Sequence, residues 1–172
     1  FRTILSCDLP ITARAECARL LAEAAGVEGI CGGQQLDMEG DGKLLTRDEL
    51  IAIHTRKTAA MIRAACRMGI ACGSGTVEQI SAAEVYAQAL GLAFQIRDDM
   101  LDEIGTQQEL GKPIGSDAEN GKSTYVRLLG LEECQERARK ETASALNALS
   151  GGGFGDTEFL EDLTILLLSR MK

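Results

Sequence analysis

The apolar residues of this chain recur three and four positions apart almost from end to end, and no segment alternates with a period of two. That periodicity confines it to helices packed on helices, because a strand would send alternate side chains to opposite faces. Only two prolines interrupt the pattern, and four Phe, two Tyr and no Trp leave little of the aromatic content that strands favour. The expected fold class is all-α. Residues 11–25 read as a helix between Pro10 and Gly26, and a shorter one runs through 29–39. Thr46 and Glu49 form a capping-box pattern that opens a helix to about Met68, stopped by Gly69. Thr76 and Gln79 repeat the signal for a helix to about Ile104, with Gly91 as its weak point. Residues 105–122 read as loop. Helical spacing returns from Ser123 to Ser150, breaks at three consecutive glycines and restarts at an Asp156 cap.

At 172 residues the chain is one domain or a large piece of one. Eighteen Lys and Arg against 26 Asp and Glu give a net charge of −8, which excludes nucleic acid as the main partner. No apolar run approaches the ~20 residues of a membrane span, so no stable membrane insertion is expected. Cys7, Cys17, Cys31, Cys66, Cys72 and Cys134 include no CxxC pair and face a single histidine, which argues against zinc. Scattered thiols of this kind behave as small hydrophobes in a reducing, cytoplasmic compartment.

Chemistry concentrates in "LAFQIRDDMLDEIG". On a helix Gln95, Asp98, Asp99 and Asp102 fall on one continuous face, where a buried helix would place apolar residues. Three carboxylates on one stripe repel unless a cation lies between them, and oxygen-only ligands suit a hard ion such as Mg²⁺. A solvated acidic face is the bland alternative, but Phe94, Ile96, Met100 and Leu101 flank the stripe and point to a cavity. Downstream, Gly111-Lys112 and Gly121-Lys122 offer positive charge; "GSDAENGKS" misses the phosphate-binding P-loop in spacing and context. In "HTRKTAAMI", His54, Lys57 and Met61 share a helical face, and Thr58 sets a hydroxyl beside Lys57, a pair able to hold a diphosphate oxygen. His54 has no second imidazole and reads as structural. Gln34 and Asp37, one turn apart, fit a packing contact and a polar site equally well.

Together these residues resemble the C-terminal part of the trans-prenyl diphosphate synthases, of the bacterial short-chain farnesyl/geranyl diphosphate synthase type. The matching stretches are "GICGGQQLDMEG", "IHTRKTAAMIRAA", "GLAFQIRDDMLDEIG", "LGKPIGSDAENGKSTYVRLLGLE" and the terminal "SRMK", in the family's order and over essentially the whole chain. "FQIRDDMLD" looks like the second aspartate-rich motif, DDxxD. The resemblance implies an antiparallel helical bundle around a deep cavity, with residues 1–172 as the C-terminal portion of one such domain. It implies Mg²⁺ as cofactor, an allylic diphosphate and isopentenyl diphosphate as substrates, their condensation to geranyl or farnesyl diphosphate, and a homodimer. By motif position Lys57, Thr58, Gln95, Lys112 and Lys122 contact the allylic diphosphate. Asp98 is the foremost metal ligand, with Asp99 and Asp102 beside it, and Arg170 helps to close the site. Lys57 and Asp98 are the residues expected to matter most for catalysis.

The family's first aspartate-rich motif and its isopentenyl diphosphate grip precede the region present here. The chain is therefore expected to be part of an enzyme, inactive alone and with exposed apolar surface. Two alternatives stand beside this reading. A terpene cyclase shares the fold, but its second metal motif mixes Asn, Ser or Thr with Glu, against the DDxxD here. A non-catalytic subunit of a heteromeric synthase can lose aspartate motifs, whereas this chain keeps one together with both Gly-Lys pairs.

Overall fold

The computed structural model describes residues 1–104 and 123–168, and every regular element among them is helical. In chain order these are α1 (Arg2–Ser6), α2 (Ile11–Ala25), α3 (Ile30–Glu39), α4 (Arg47–His54), one π-helical turn (Thr55–Ala59), α5 (Ala60–Cys72), α6 (Val77–Ile104), α7 (Tyr125–Leu129), α8 (Leu131–Gly151) and α9 (Glu158–Leu168). The loop expected at 105–122 lies outside the described residues. Among the described residues no helix is long and apolar enough to cross a membrane.

Local chemistry sets most of the boundaries. The Glu49 N–H donates to Thr46 Oγ1 at 3.4 Å and the Thr46 N–H donates to the Glu49 carboxylate at 2.8 Å, so the capping box that starts α4 is closed. Thr76 and Gln79 make the same exchange at 3.3 and 2.9 Å ahead of α6. At the head of α9 the Asp156 carboxylate accepts the Glu158 N–H at 3.0 Å. Two expected boundaries move. The helix expected to stop at Gly69 continues to Cys72, since a glycine inside a helix costs only about 1 kcal/mol and does not by itself turn the chain. It ends where Ser74 enters the left-handed region at φ 54° and the Gly75 N–H reaches back to the Ile70 carbonyl at 3.0 Å. The helix expected over 123–150 is two, α7 and α8, parted at Gly130 with φ 82°.

The core follows α6. Tyr86, Ala89, Leu90 and Ala93 pack with Ala145 and Leu149 of α8, while Ile96 and Met100 pack with Cys134 and Ala138. Positions on α6 rise as those on α8 fall, so the two helices are antiparallel. Each large side chain buried along this seam contributes about 1.5–3 kcal/mol. α9 is tied to α6 by a 3.0 Å bond between the buried hydroxyls of Tyr86 and Thr164. α5, the π turn and α7 also pack on α6, while α2 lies on α5 and α3 on the π turn.

Gly91, expected as the weak point of α6, is instead its crossing point with the π turn. A Cβ there would lie 2.9 Å from the Ala59 Cβ. Helix propensity alone favours Gly91→Ala by about 1 kcal/mol, and overpacking costs about 1–3 kcal/mol. We expect the overlap to win, with a net loss of about 1 kcal/mol in urea denaturation. A stabilised variant would mean that α6 and the π turn are free to separate.

Candidate functional site

The π turn places the first site residues. In an uninterrupted α-helix the stripe through Leu50 and Ile53 would pass on to Lys57 and Ala60, yet the buried positions are Leu50, Ile53, Ala59 and Ala64. The extra residue carried by the turn gives Ala59 the core position and leaves Lys57 and Thr58 only partly covered. The face expected to join His54, Lys57 and Met61 is thereby broken up. His54 packs its ring on Tyr125 with centroids 5.1 Å apart, Lys57 turns to α3, and Met61 is exposed. The signal was present in the sequence as a break in the apolar stripe between Ile53 and Ala59.

Lys57 Nζ lies 2.6 Å from Asp37 Oδ2 of α3. The two elements approach this closely because residue 33 is glycine: a Cβ there would stand 2.4 Å from the Lys57 backbone nitrogen. Asp37, which the sequence left between packing and polar roles, thus holds the lysine ammonium. The next residue begins a relay across three elements. Thr58 Oγ1 donates to Gln95 Oε1 at 3.0 Å, Gln95 Nε2 donates to Asp99 Oδ1 at 3.0 Å, and Asp99 Oδ2 accepts the Tyr125 N–H at 2.7 Å.

The three motif aspartates therefore have different surroundings. Asp99 is 5% exposed and Asp102 is 3% exposed, whereas Asp98 is exposed. Thr58, Gln95 and Asp99 come together, with Lys57 beside them on the π turn. Asp98, Asp99 and Asp102 do not form one cluster: among the described residues no group of three or more metal-binding side chains converges. Lys112, Lys122 and Arg170 lie outside the described residues.

From Thr58 an apolar cleft of about 850 Å³ opens between α5, α6 and α9, lined by Ile62, Cys66, Tyr86, Leu90, Phe94 and Leu163 among others. Its lining is mostly hydrocarbon, with Thr58, Asp156 and Thr157 among the polar side chains that face it. Beside the relay, His54 and Tyr125 are held neutral. Burial drives the imidazole down to about 4, against the pull of Asp37 and with the push of Lys57. Burial first, and the Asp99 charge second, raise the Tyr125 phenol to about 12. His54 Nδ1 and the Tyr125 hydroxyl are both buried without a hydrogen-bond partner among the described residues.

A family model described as Polyprenyl synthetase matches residues 2–151. The chain belongs to that family. The farnesyl diphosphate synthase of Escherichia coli K12 is 42% identical over 156 residues, 88% of this chain and 52% of that protein. That of Geobacillus stearothermophilus is 44% identical over 129 residues, 75% of this chain and 43% of that protein. Among solved structures, the geranyltransferase from Helicobacter pylori complexed with magnesium and isoprenyl diphosphate aligns with a TM-score of 0.76 at 26% identity, over 99% of this chain and 53% of that one. This polyprenyl synthetase chain spans about half the length of the curated relatives it matches.

Two outcomes follow from the geometry of this polyprenyl synthetase site. Gly33→Ala should push α3 off the π turn, lower stability by about 1–3 kcal/mol and part Lys57 from Asp37. Thermal melts with a lysine-selective NMR signal would read both effects, and an unshifted Lys57 signal would refute the second. Between about pH 6.5 and about 4 the unfolded His54 imidazole is protonated while the folded one is not. Stability should therefore fall as pH falls through that window, by up to about 1.4 kcal/mol per pH unit. Urea denaturation at pH 7 and pH 5 should show wild type losing about 2 kcal/mol more than His54→Phe; equal losses would contradict the burial argument.

Proposed function

We propose that the whole protein is a prenyltransferase that condenses isopentenyl diphosphate with dimethylallyl or geranyl diphosphate to give geranyl or farnesyl diphosphate. This chain would carry the allylic half of the site. One observation carries the reading: Thr58, bonded to Gln95, also lines the apolar cleft, so a ligand with an anionic head and a hydrocarbon tail matches both parts. The names of the Escherichia coli and Geobacillus relatives support the same chemistry.

In this reading Thr58 and Gln95 orient the diphosphate by hydrogen bonds. Lys57 keeps one of its three donors on Asp37 and turns another to a phosphate oxygen. Ile62, Leu90 and Phe94 shield the hydrocarbon, so that the allylic cation formed on ionisation meets the second substrate's double bond before water. Asp99, bonded to the Gln95 amide and the Tyr125 N–H, orients Gln95. The donor set fits magnesium, a hard ion that takes one or two carboxylates and completes its shell with water and phosphate oxygens. Asp98 would hold it foremost, with Asp102 a turn away, and the magnesium in the Helicobacter pylori complex supports the choice. Bound there, the metal would offset negative charge growing on the departing diphosphate. Lys112, Lys122 and Arg170 are further contacts by motif position. Exposed Phe159 and Leu166 support association as a homodimer, and six free thiols support a cytoplasmic setting.

The test is condensation of isopentenyl diphosphate with geranyl diphosphate by the protein that carries this chain. EDTA should abolish it. Asp98→Ala should cost at least about a hundred- to a thousandfold in turnover with an unchanged melting temperature. Lys57→Ala should lie near the lower figure and raise the allylic KM. Asp99→Ala should instead lower stability by about 1–3 kcal/mol, because it strands the Tyr125 N–H. Full turnover in Asp98→Ala, or indifference to EDTA, would refute the proposal.

A further inference from the structure

Cys17 and Cys72 lie 55 positions apart in sequence, and their Sγ atoms are 3.7 Å apart. Cys17 sits mid-way along α2 and is 2% exposed, while Cys72 is the last residue of α5 and is exposed. The helices that carry them pack together. Cys17 Sγ also lies 3.7 Å from the Met68 carbonyl, one turn back on α5, so the buried sulfur is seated against the segment that presents its partner. We propose that these two residues form a reversible disulfide that staples α2 to the C-terminal end of α5.

The sulfurs are already at contact distance, and bonding at about 2.05 Å asks for a further approach of less than 2 Å. Cys72 is placed to supply it. It stands where the helix gives way to Gly73-Ser74-Gly75, so its side chain and the adjoining backbone have room to adjust. The division of labour follows from exposure. A Cys72 thiolate attacks one sulfur of a small-molecule disulfide and releases one thiolate, leaving a mixed disulfide. Cys17 then loses its proton to solvent and attacks Cys72 Sγ, releasing the second thiolate. Two protein thiols are oxidised and one external disulfide is reduced to two thiols. Burial raises the Cys17 thiol to about 11, which suits a second, intramolecular attack rather than the first.

The remaining cysteines are placed differently. Cys134 is fully buried, Cys66 faces the apolar cleft, and Cys31 is exposed on α3. Cys7, whose thiol lies 3.1 Å from the Ile4 carbonyl, is near enough to act on Cys17 and is a competitor for it. α5 has 13 residues, and Thr58 lies beyond its other end, so the staple sits about 20 Å from the polar relay. The inference does not depend on the function proposed above.

Trypsin separates the candidates into residues 3–14 (Cys7), 15–19 (Cys17), 64–67 (Cys66) and 68–97 (Cys72). The 172-residue chain, reduced and then incubated with glutathione disulfide, should fall from six alkylatable thiols to four. Peptide 15–19 should appear joined to 68–97, the link should vanish with dithiothreitol, and the oxidised chain should melt at a higher temperature than the reduced one. Cys72→Ser, at an exposed position, should abolish both the link and the shift and so keeps the test decisive if Cys17→Ser fails to fold. Six thiols still alkylated, glutathione retained on Cys72, or a link through peptide 3–14 or 64–67 would each overturn the proposal.

Discussion

The two oxygens of Asp99 are shared between the Gln95 amide and the Tyr125 N–H, at 3.0 and 2.7 Å, in a place where only 5% of the residue meets solvent. Donors lost from a carboxylate buried there would cost several kcal/mol, so both bonds help to hold the arrangement. One bond fixes where α7 begins. The other orients the Gln95 side chain, and through it the Thr58 hydroxyl on the π turn. The chain on the two sides of residues 105–122 is thus referenced to one group, which belongs neither to the apolar seam nor to the exposed edge of the motif.

Signals that act within one helical turn were legible in the sequence. The capping boxes at Thr46 and Thr76 closed as expected because each partner sits three residues from the other. Gly69 misled because its backbone freedom is only a permission; the helix ended four residues later, where Ser74 reverses the chain. The π turn could not be found from propensity, since its cause is tertiary: Ala59 must meet Gly91, and Gly33 must meet Lys57. The site divides in the same way. Gln95 and the three aspartates were legible as one stripe, and only the family resemblance set Asp98 ahead of Asp99 and Asp102. Burial separates them, because helical spacing gives a shared stripe without saying how far into the fold each position reaches.

Asp37 shows what a local reading leaves out about charge. A net charge of −8 opposes an anionic ligand at long range, and the lysine on the π turn already has a carboxylate at 2.6 Å. That pairing has a use. Asp37 keeps a half-buried ammonium pointed along one direction, where an unpaired lysine would spread over many rotamers and lose that freedom on binding. A ligand bound at Thr58, as proposed above, would meet a cation whose rotamers are already restricted.

The extra residue of the π turn also says how this stretch tolerates changes in length. Deleting one residue between Thr55 and Ala59 would restore an ordinary α-helix from Arg47 to Cys72, with better local hydrogen bonding. Everything beyond the deletion would then rotate by about 100° about the helix axis relative to α4. Either α4 or α5 would present the wrong side to α6. Insertions and deletions here act on all of α5 at once. Among sequences that fold in this way, the number of residues across 55–59 should stay constant.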